Sequence, residues 1–168
     1  MKLLIADDHD LVRDTIAAFL LAEGMQALST AASLPDALAL MRSETFDLVL
    51  LDYYMPGMNG LEGLARALAI ANGTPVAVIS GSTSRELAES VIKAGAAGYV
   101  PKTMAARAMV SAIRLMAAGE IFAPIGLLQS DSIIPDASAP LTKREADVLR
   151  GICEGKSNKE IARDLDLQ

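Results

Sequence analysis

Short apolar runs alternate with segments of helical period along the first 119 residues. Lys2–Ala6 reads as a strand that stops at Asp7-Asp8. Leu11–Ala22 carries the 3.6-residue period through Leu11, Thr15, Ala18, Phe19 and Ala22, with Gly24 as a stop just beyond it. Met25–Thr30 is a weaker strand. Ser33-Leu34-Pro35-Asp36 has capping-box spacing, with Asp in place of Glu, and opens a helix to about Arg42. Phe46–Leu51 is apolar except for Asp47, the pattern of a central parallel strand covered on both faces, and it ends at Asp52. A turn-rich loop with Pro56, Gly57, Asn59 and Gly60 follows. The remaining pattern predicts a helix over Leu61–Ala71, a strand over Pro75–Ser80, a helix over Ser84–Ala94, a strand over Ala97–Val100 and a helix over Thr103–Ala118. Thr103 is the candidate cap of that last helix. Five β/α units in strict alternation predict an α/β fold: a parallel sheet with right-handed crossovers and helices on both faces.

The periodicity fails over residues 120–140. Pro124, Pro135 and Pro140 mark a linker there, yet it carries Ile121, Phe122, Ile125, Leu127, Leu128, Ile133 and Ile134. Two readings stand side by side: these side chains pack on the preceding helix, or they form a partner-contact surface. Helical pattern resumes at Thr142-Lys143-Arg144-Glu145, a capping box, with Ala146, Leu149, Ile152 and Cys153 on one face. Gly155 ends that helix, and Ser157 caps a second with Ile161, Ala162 and Leu165 apolar. The expected organisation is therefore a domain over 1–119, a linker over 120–140 and a partial all-α segment over 141–168.

Composition narrows the setting. A hydrophobic fraction of 52% against 21% charged excludes an intrinsically disordered chain. No stretch supplies the roughly 20 consecutive apolar residues of a membrane span, and the N-terminus shows no signal-peptide pattern. A single cysteine makes no internal disulfide. A cytoplasmic protein with no membrane partner is expected. With aromatics at 4% and no Trp, a stacking platform for single-stranded nucleic acid is disfavoured. The net charge of −6 also argues against nucleic acid. That excess lies wholly in residues 1–140, however, and residues 141–168 balance six basic against six acidic side chains.

In an open parallel sheet, ligands bind outside the carboxyl ends of the strands. Asp7 and Asp8 follow the first strand, Asp52 the third, Ser80 the fourth and Lys102 the fifth, so all five converge on one end of the sheet. Carboxylates crowded in one crevice repel unless a cation sits among them. Carboxylate oxygens with waters suit Mg2+. One carboxylate then serves as nucleophile toward phosphorus, while Lys102 offsets the charge of the phosphoryl group.

Four segments carry a resemblance: Ile5-Ala6-Asp7-Asp8-His9, Leu51-Asp52 with the loop Tyr53 to Gly60, Ile79-Ser80-Gly81, and Gly98-Tyr99-Val100-Pro101-Lys102. Each is weak alone. In order, each at a strand end, they are specific. Residues 1–119 resemble the receiver domain of two-component response regulators, a flavodoxin-like (βα)5 fold whose sheet order is 2-1-3-4-5. The resemblance implies Asp52 as phospho-acceptor. It implies Asp8, Asp52 and the Tyr54 backbone carbonyl as Mg2+ ligands, with Asp7 acting mainly through a bound water. Ser80 and Tyr99 fall on the switch positions, with the aromatic ring turning inward. The chain departs from many receivers in having Thr103, not Pro, directly after Lys102. His9, the sole histidine, is read as a turn or cap residue in preference to one that tunes the pocket.

Leu141 to Glu145, Val148-Leu149 and Gly155 to Ala162 resemble the start of the helix-turn-helix domain of the LuxR/NarL group. About half of such a domain is covered, and the helix that reads bases follows later in that family. Lys156, Ser157, Asn158, Lys159 and Arg163 are left as weak phosphate-contact candidates or as a solvated helix face. The family implies a sensor histidine kinase as partner and a homodimer, through the helix 4–strand 5–helix 5 surface or the C-terminal segment. It implies DNA as the target of the full-length protein, with no DNA binding expected of these 168 residues alone. Two other readings compete: a stand-alone receiver-type interaction module that binds no DNA, and a phosphohydrolase. The second is disfavoured because Tyr54 stands where such enzymes place a second carboxylate, so no enzyme activity is expected beyond self-phosphorylation from a phosphodonor.

Overall fold

The computed structural model describes residues 1–124 and Gly126. Ten elements follow in strict alternation: β1 Lys2–Ala6, α1 Asp10–Ala22, β2 Ala27–Ala31, α2 Leu34–Ser43, β3 Leu48–Asp52, α3 Leu61–Ile70, β4 Val76–Ser80, α4 Arg85–Lys93, β5 Gly98–Pro101 and α5 Ala106–Ala117. The five strands form one parallel sheet in the order β2-β1-β3-β4-β5, as the resemblance implies. The continuous apolar runs are explained by burial on both faces. Leu4, Ala6, Val49, Leu51, Val78 and Tyr99 pack on one side with α2, α3 and α4. Leu3, Ile5, Leu48, Leu50, Ile79 and Val100 pack on the other with α1 and α5. Successive strand residues point to opposite faces, so one uninterrupted run feeds both cores.

Local chemistry sets the boundaries. The Ser33 hydroxyl accepts the Asp36 backbone N–H at 3.3 Å and caps α2, as its spacing predicts. Asp47, the one polar residue in its run, accepts the Lys2 backbone N–H on Oδ2 at 2.6 Å. That contact closes the ladder where β1 and β3 begin.

Thr103 is not the cap of the last helix. α5 starts at Ala106, and its N-cap, Ala105, makes no side-chain cap bond. The backbone explains the shift. Lys102 N–H still pairs with the Ser80 carbonyl at 2.7 Å, and a turn from the Pro101 carbonyl to Met104 N–H follows at 3.0 Å. Thr103 is spent inside that turn.

The chain after α5 returns to the sheet. Phe122 N–H donates to the Ala97 carbonyl at 2.9 Å, and Tyr99 N–H donates to the Phe122 carbonyl at 3.0 Å. This covers the open edge of β5. Gly98 makes room for it, because a Cβ there would collide with Met116 Sδ and lie 2.7 Å from the Phe122 carbonyl oxygen. Phe122 packs against the core shared with α5, whereas Ile121 is exposed. The apolar residues from Ile125 onward, and both helices predicted over residues 141–168, lie outside the described residues, except that Gly126 is described.

Gly63 is the tightest backbone approach in the helical layer, since a Cβ would collide with the Met58 carbonyl. Backbone atoms cannot step aside as a flexible side chain does. Gly63→Ala is expected to cost about 1–3 kcal/mol, read as a drop of roughly 2–4 °C in Tm per kcal/mol. Gly81→Ala, with nothing within 4 Å of the added Cβ, is the matched control and shifts Tm by less than the equivalent of about 0.5 kcal/mol. Equal Tm values for the two variants would refute the contact.

Candidate functional site

The carboxyl ends of β1, β3, β4 and β5 bring together the residues the sequence assigns there. Asp7 and Ser80 are wholly buried, and Asp52 is 1% exposed. Asp8 stands at the exposed rim. Lys102, directly after β5, reaches back across the strand ends. Its Nζ lies 2.7 Å from Asp7 Oδ2 and 3.2 Å from Asp52 Oδ2. The β5 ladder that runs on through Lys102 N–H is what aims this ammonium at both carboxylates.

The two buried acids are not equivalent. Burial pushes Asp52 upward from the ordinary carboxylate range; Lys102 opposes this and the neighbouring Asp7 charge adds to it, so the net direction is up. Burial also works to raise Asp7, but Lys102 and two contacts from His9 outweigh it, and Asp7 is held low. For Lys102, burial favours the neutral amine, but the two carboxylates prevail and keep it charged beyond its usual range. The ion pair thus falls mainly to Asp7 and Lys102. Asp52 carries the unfavourable remainder, and its Oδ1 is buried with no hydrogen-bond partner.

His9 is the N-cap residue of α1, with extended backbone and no side-chain cap bond. Its N–H donates to Asp7 Oδ1 at 2.9 Å. Its Nδ1 lies 3.0 Å from Asp7 Oδ1 and 3.1 Å from Asp8 Oδ1. The reading of His9 as a cap residue is right about position but misses this ring contact. Arg13 is a further participant that sequence reasoning passed over. Its guanidinium donates to the Asp7 carbonyl at 2.9 Å and to Asp10 at 2.7 Å, bracing the turn between β1 and α1. The Asp10/Arg13 spacing of three residues was the available signal.

On the opposite rim, Ser80 Oγ accepts the Ser82 N–H at 3.1 Å. The Tyr99 ring is wholly buried, and its hydroxyl donates to the Ser82 carbonyl at 2.7 Å. Burial raises the Tyr99 phenol above its ordinary range, so it remains a hydrogen-bond donor. Tyr54 is two-thirds exposed and stacks edge-on against Tyr53, with ring centroids 5.1 Å apart. Met55 and Met58 are buried and anchor the loop that carries it. The candidate contacts Lys156, Ser157, Asn158, Lys159 and Arg163 lie outside the described residues.

Ligand atoms of Asp7, Asp8, His9 and Asp52 all lie within 4.8 Å of one another. This acidic pocket has the donor set and spacing to take a metal ion. The buried, unpartnered Asp52 oxygen fits that use, since a cation would supply the missing partner.

Comparison with known proteins gives the same outline. The family model "Response regulator receiver domain" matches residues 3–114, and "Bacterial regulatory proteins, luxR family" matches residues 139–168. The "Glycerol metabolism activator" of Pseudomonas putida is 32% identical, with 99% of this chain and 81% of the relative covered. "Response regulator UvrY" of Escherichia coli K12 is 31% identical over 99% and 80%. A solved LuxR-family DNA-binding response regulator from Silicibacter pomeroyi aligns with TM-score 0.65 and 31% identity over 74% of this chain and 98% of that one. RcsB of Salmonella typhimurium shares the fold at TM-score 0.72 and 21% identity, over 100% and 84%. Among the described residues, no helix is long and apolar enough to cross a membrane. A sheet of order 2-1-3-4-5, an acidic pocket at its carboxyl end and a LuxR-type segment later in the sequence make this chain a response regulator of the LuxR/NarL family of two-component systems.

Proposed function

We propose that Asp52 accepts a phosphoryl group from a sensor histidine kinase in the cytoplasm, and that this controls dimerisation and DNA binding by the C-terminal helix-turn-helix domain. The observation that carries the reading is the asymmetry of the buried acids. Lys102 is engaged chiefly by Asp7, which leaves Asp52 with an unpartnered oxygen. An Asp52 carboxylate oxygen attacks phosphorus and forms an O–P bond. The donor's P–N bond breaks, and its electron pair stays on the departing imidazole. Lys102 stabilises the charge on the equatorial oxygens. Asp8, Asp52 and the Tyr54 carbonyl would hold Mg2+, with Asp7 behind a water, and that ion would neutralise further phosphoryl charge when bound. Ser80 gives up its contact with Ser82 to hydrogen-bond the phosphoryl group. The buried Tyr99 ring, hydrogen-bonded to the Ser82 carbonyl and through its backbone to Phe122, supports a switch role for that residue.

The domain map underlying this reading is a receiver over 1–119, a linker over 120–140 and a DNA-binding portion over 141–168. The Phe122 pairing lays the first linker residues along β5. The surface of α4, β5 and α5 is the proposed dimer contact. Dimerisation raises the effective DNA affinity of paired reading heads in the full-length protein. The chain is read as a signalling protein without phosphate-ester turnover.

Two measurements test this. With Mg2+ and acetyl phosphate, intact-mass analysis should show the wild-type chain gaining one phosphoryl group and Asp52→Asn gaining none. Equal labelling would overturn Asp52 as acceptor. The second is a stability measurement without metal. The folded-state pKa of Asp52 lies above the unfolded value, so its ionisation works against folding as pH rises through that range. At neutral pH, Asp52→Asn should therefore stabilise the metal-free protein by about 1–3 kcal/mol. Saturating Mg2+ should stabilise the wild type by about 2.7 kcal/mol at a hundredfold excess over Kd, and leave the variant nearly unmoved.

A further inference from the structure

The ring of His9 has no part in the reaction above. It is fixed at the mouth of the pocket from two directions. Its residue begins α1, and its N–H is bonded to Asp7 Oδ1 at 2.9 Å. The imidazole is 62% exposed, so it fills no core space. Its Nδ1 faces two carboxylate oxygens, 3.0 and 3.1 Å away, belonging to different acids. A nitrogen placed so is in reach of any cation those acids hold.

The second observation is the Asp52 oxygen. Asp52 is 1% exposed, its Oδ1 is without a hydrogen-bond partner, and it lies in the same cluster, where every ligand atom is within 4.8 Å of the others. The pocket therefore offers oxygen donors from three acids and one imidazole nitrogen. Oxygen-only sites suit Mg2+. An imidazole adds little for Mg2+, but binds Co2+ and Ni2+ well, and affinity for these ions rises along the divalent series.

We propose that His9 is a nitrogen ligand in this pocket, so that the receiver takes transition-metal dications of the Co2+/Ni2+ class through Asp8, His9 and Asp52 more tightly than its carboxylates alone allow. This rests on the reading of the pocket as a metal site. Binding uses the Nδ1 lone pair of the neutral ring and involves no redox step. His9 thereby sets metal selectivity, while Asp52 remains the acceptor.

The test is calorimetric titration of the metal-free chain with Mg2+ and with Ni2+, in wild type, His9→Asn and Asp52→Asn. Asn is a good N-cap residue, so His9→Asn keeps the start of α1. It should weaken Ni2+ on the order of tenfold and leave the Mg2+ affinity nearly unchanged. Asp52→Asn should weaken both metals. The chain has a single histidine, which provides a readout independent of affinity. The Co2+-loaded wild type should show one contact-shifted, exchangeable imidazole N–H proton signal, absent from His9→Asn. Equal Ni2+ affinity in wild type and His9→Asn, with no such signal while Mg2+ binds normally, would overturn the His9 assignment and leave the metal site standing. Failure of the wild type to bind any of these ions would overturn the metal reading, and the His9 assignment with it.

Discussion

One ammonium shared between two buried carboxylates governs this end of the molecule. Lys102 sits 2.7 Å from Asp7 and 3.2 Å from Asp52, with both acids sealed from solvent. Burying two like charges is costly, and a single cation cannot satisfy both. The cost is not shared evenly. Asp7 also receives the His9 backbone and ring, and its carbonyl is held by Arg13. Asp52 receives none of these. The carboxylate left short of partners is the one a bound cation would satisfy, so the cost of folding the site and its capacity for a metal ion have the same origin.

The fold makes that arrangement possible by burying each strand on both faces. Side chains within the sheet are committed to the two cores, and only residues at the strand ends are free for chemistry. The loop after Asp52 is pinned by buried Met55 and Met58, and the Pro56 carbonyl accepts the Leu34 N–H that opens α2. At the other end of the pocket, Ser80, Ser82 and Tyr99 are joined by hydrogen bonds. Tyr99 is in turn bonded through its backbone to Phe122, the first chain to leave the receiver. The rim of the acidic pocket and the exit of the chain are thus separated by a short series of direct contacts.

Much of this was legible in the residue pattern. The alternation of runs and periods was enough for a parallel sheet, and ending four strands at Asp7-Asp8, Asp52, Ser80 and Lys102 was enough to place one pocket. The Ser33 cap followed from spacing. Three features were not legible. The start of α5 moved from Thr103 to Ala106 because the β5 ladder runs on through Lys102, a pairing between residues distant in sequence. The His9 ring contact depends on the direction the chain takes out of β1. Phe122 read as linker because a single bridge to an edge strand leaves no period.

The sheet, its two cores and the set of groups at its carboxyl edge are written in the residue pattern, because burial on both faces imposes a pattern that a linear reading detects. How those groups divide their partners is settled by the folded chain: Lys102 closer to Asp7, His9 between Asp7 and Asp8, and one oxygen of Asp52 with no hydrogen bond. That division depends on distances of a few ångströms between segments dozens of residues apart, and electrostatics in a buried site is decided at that scale.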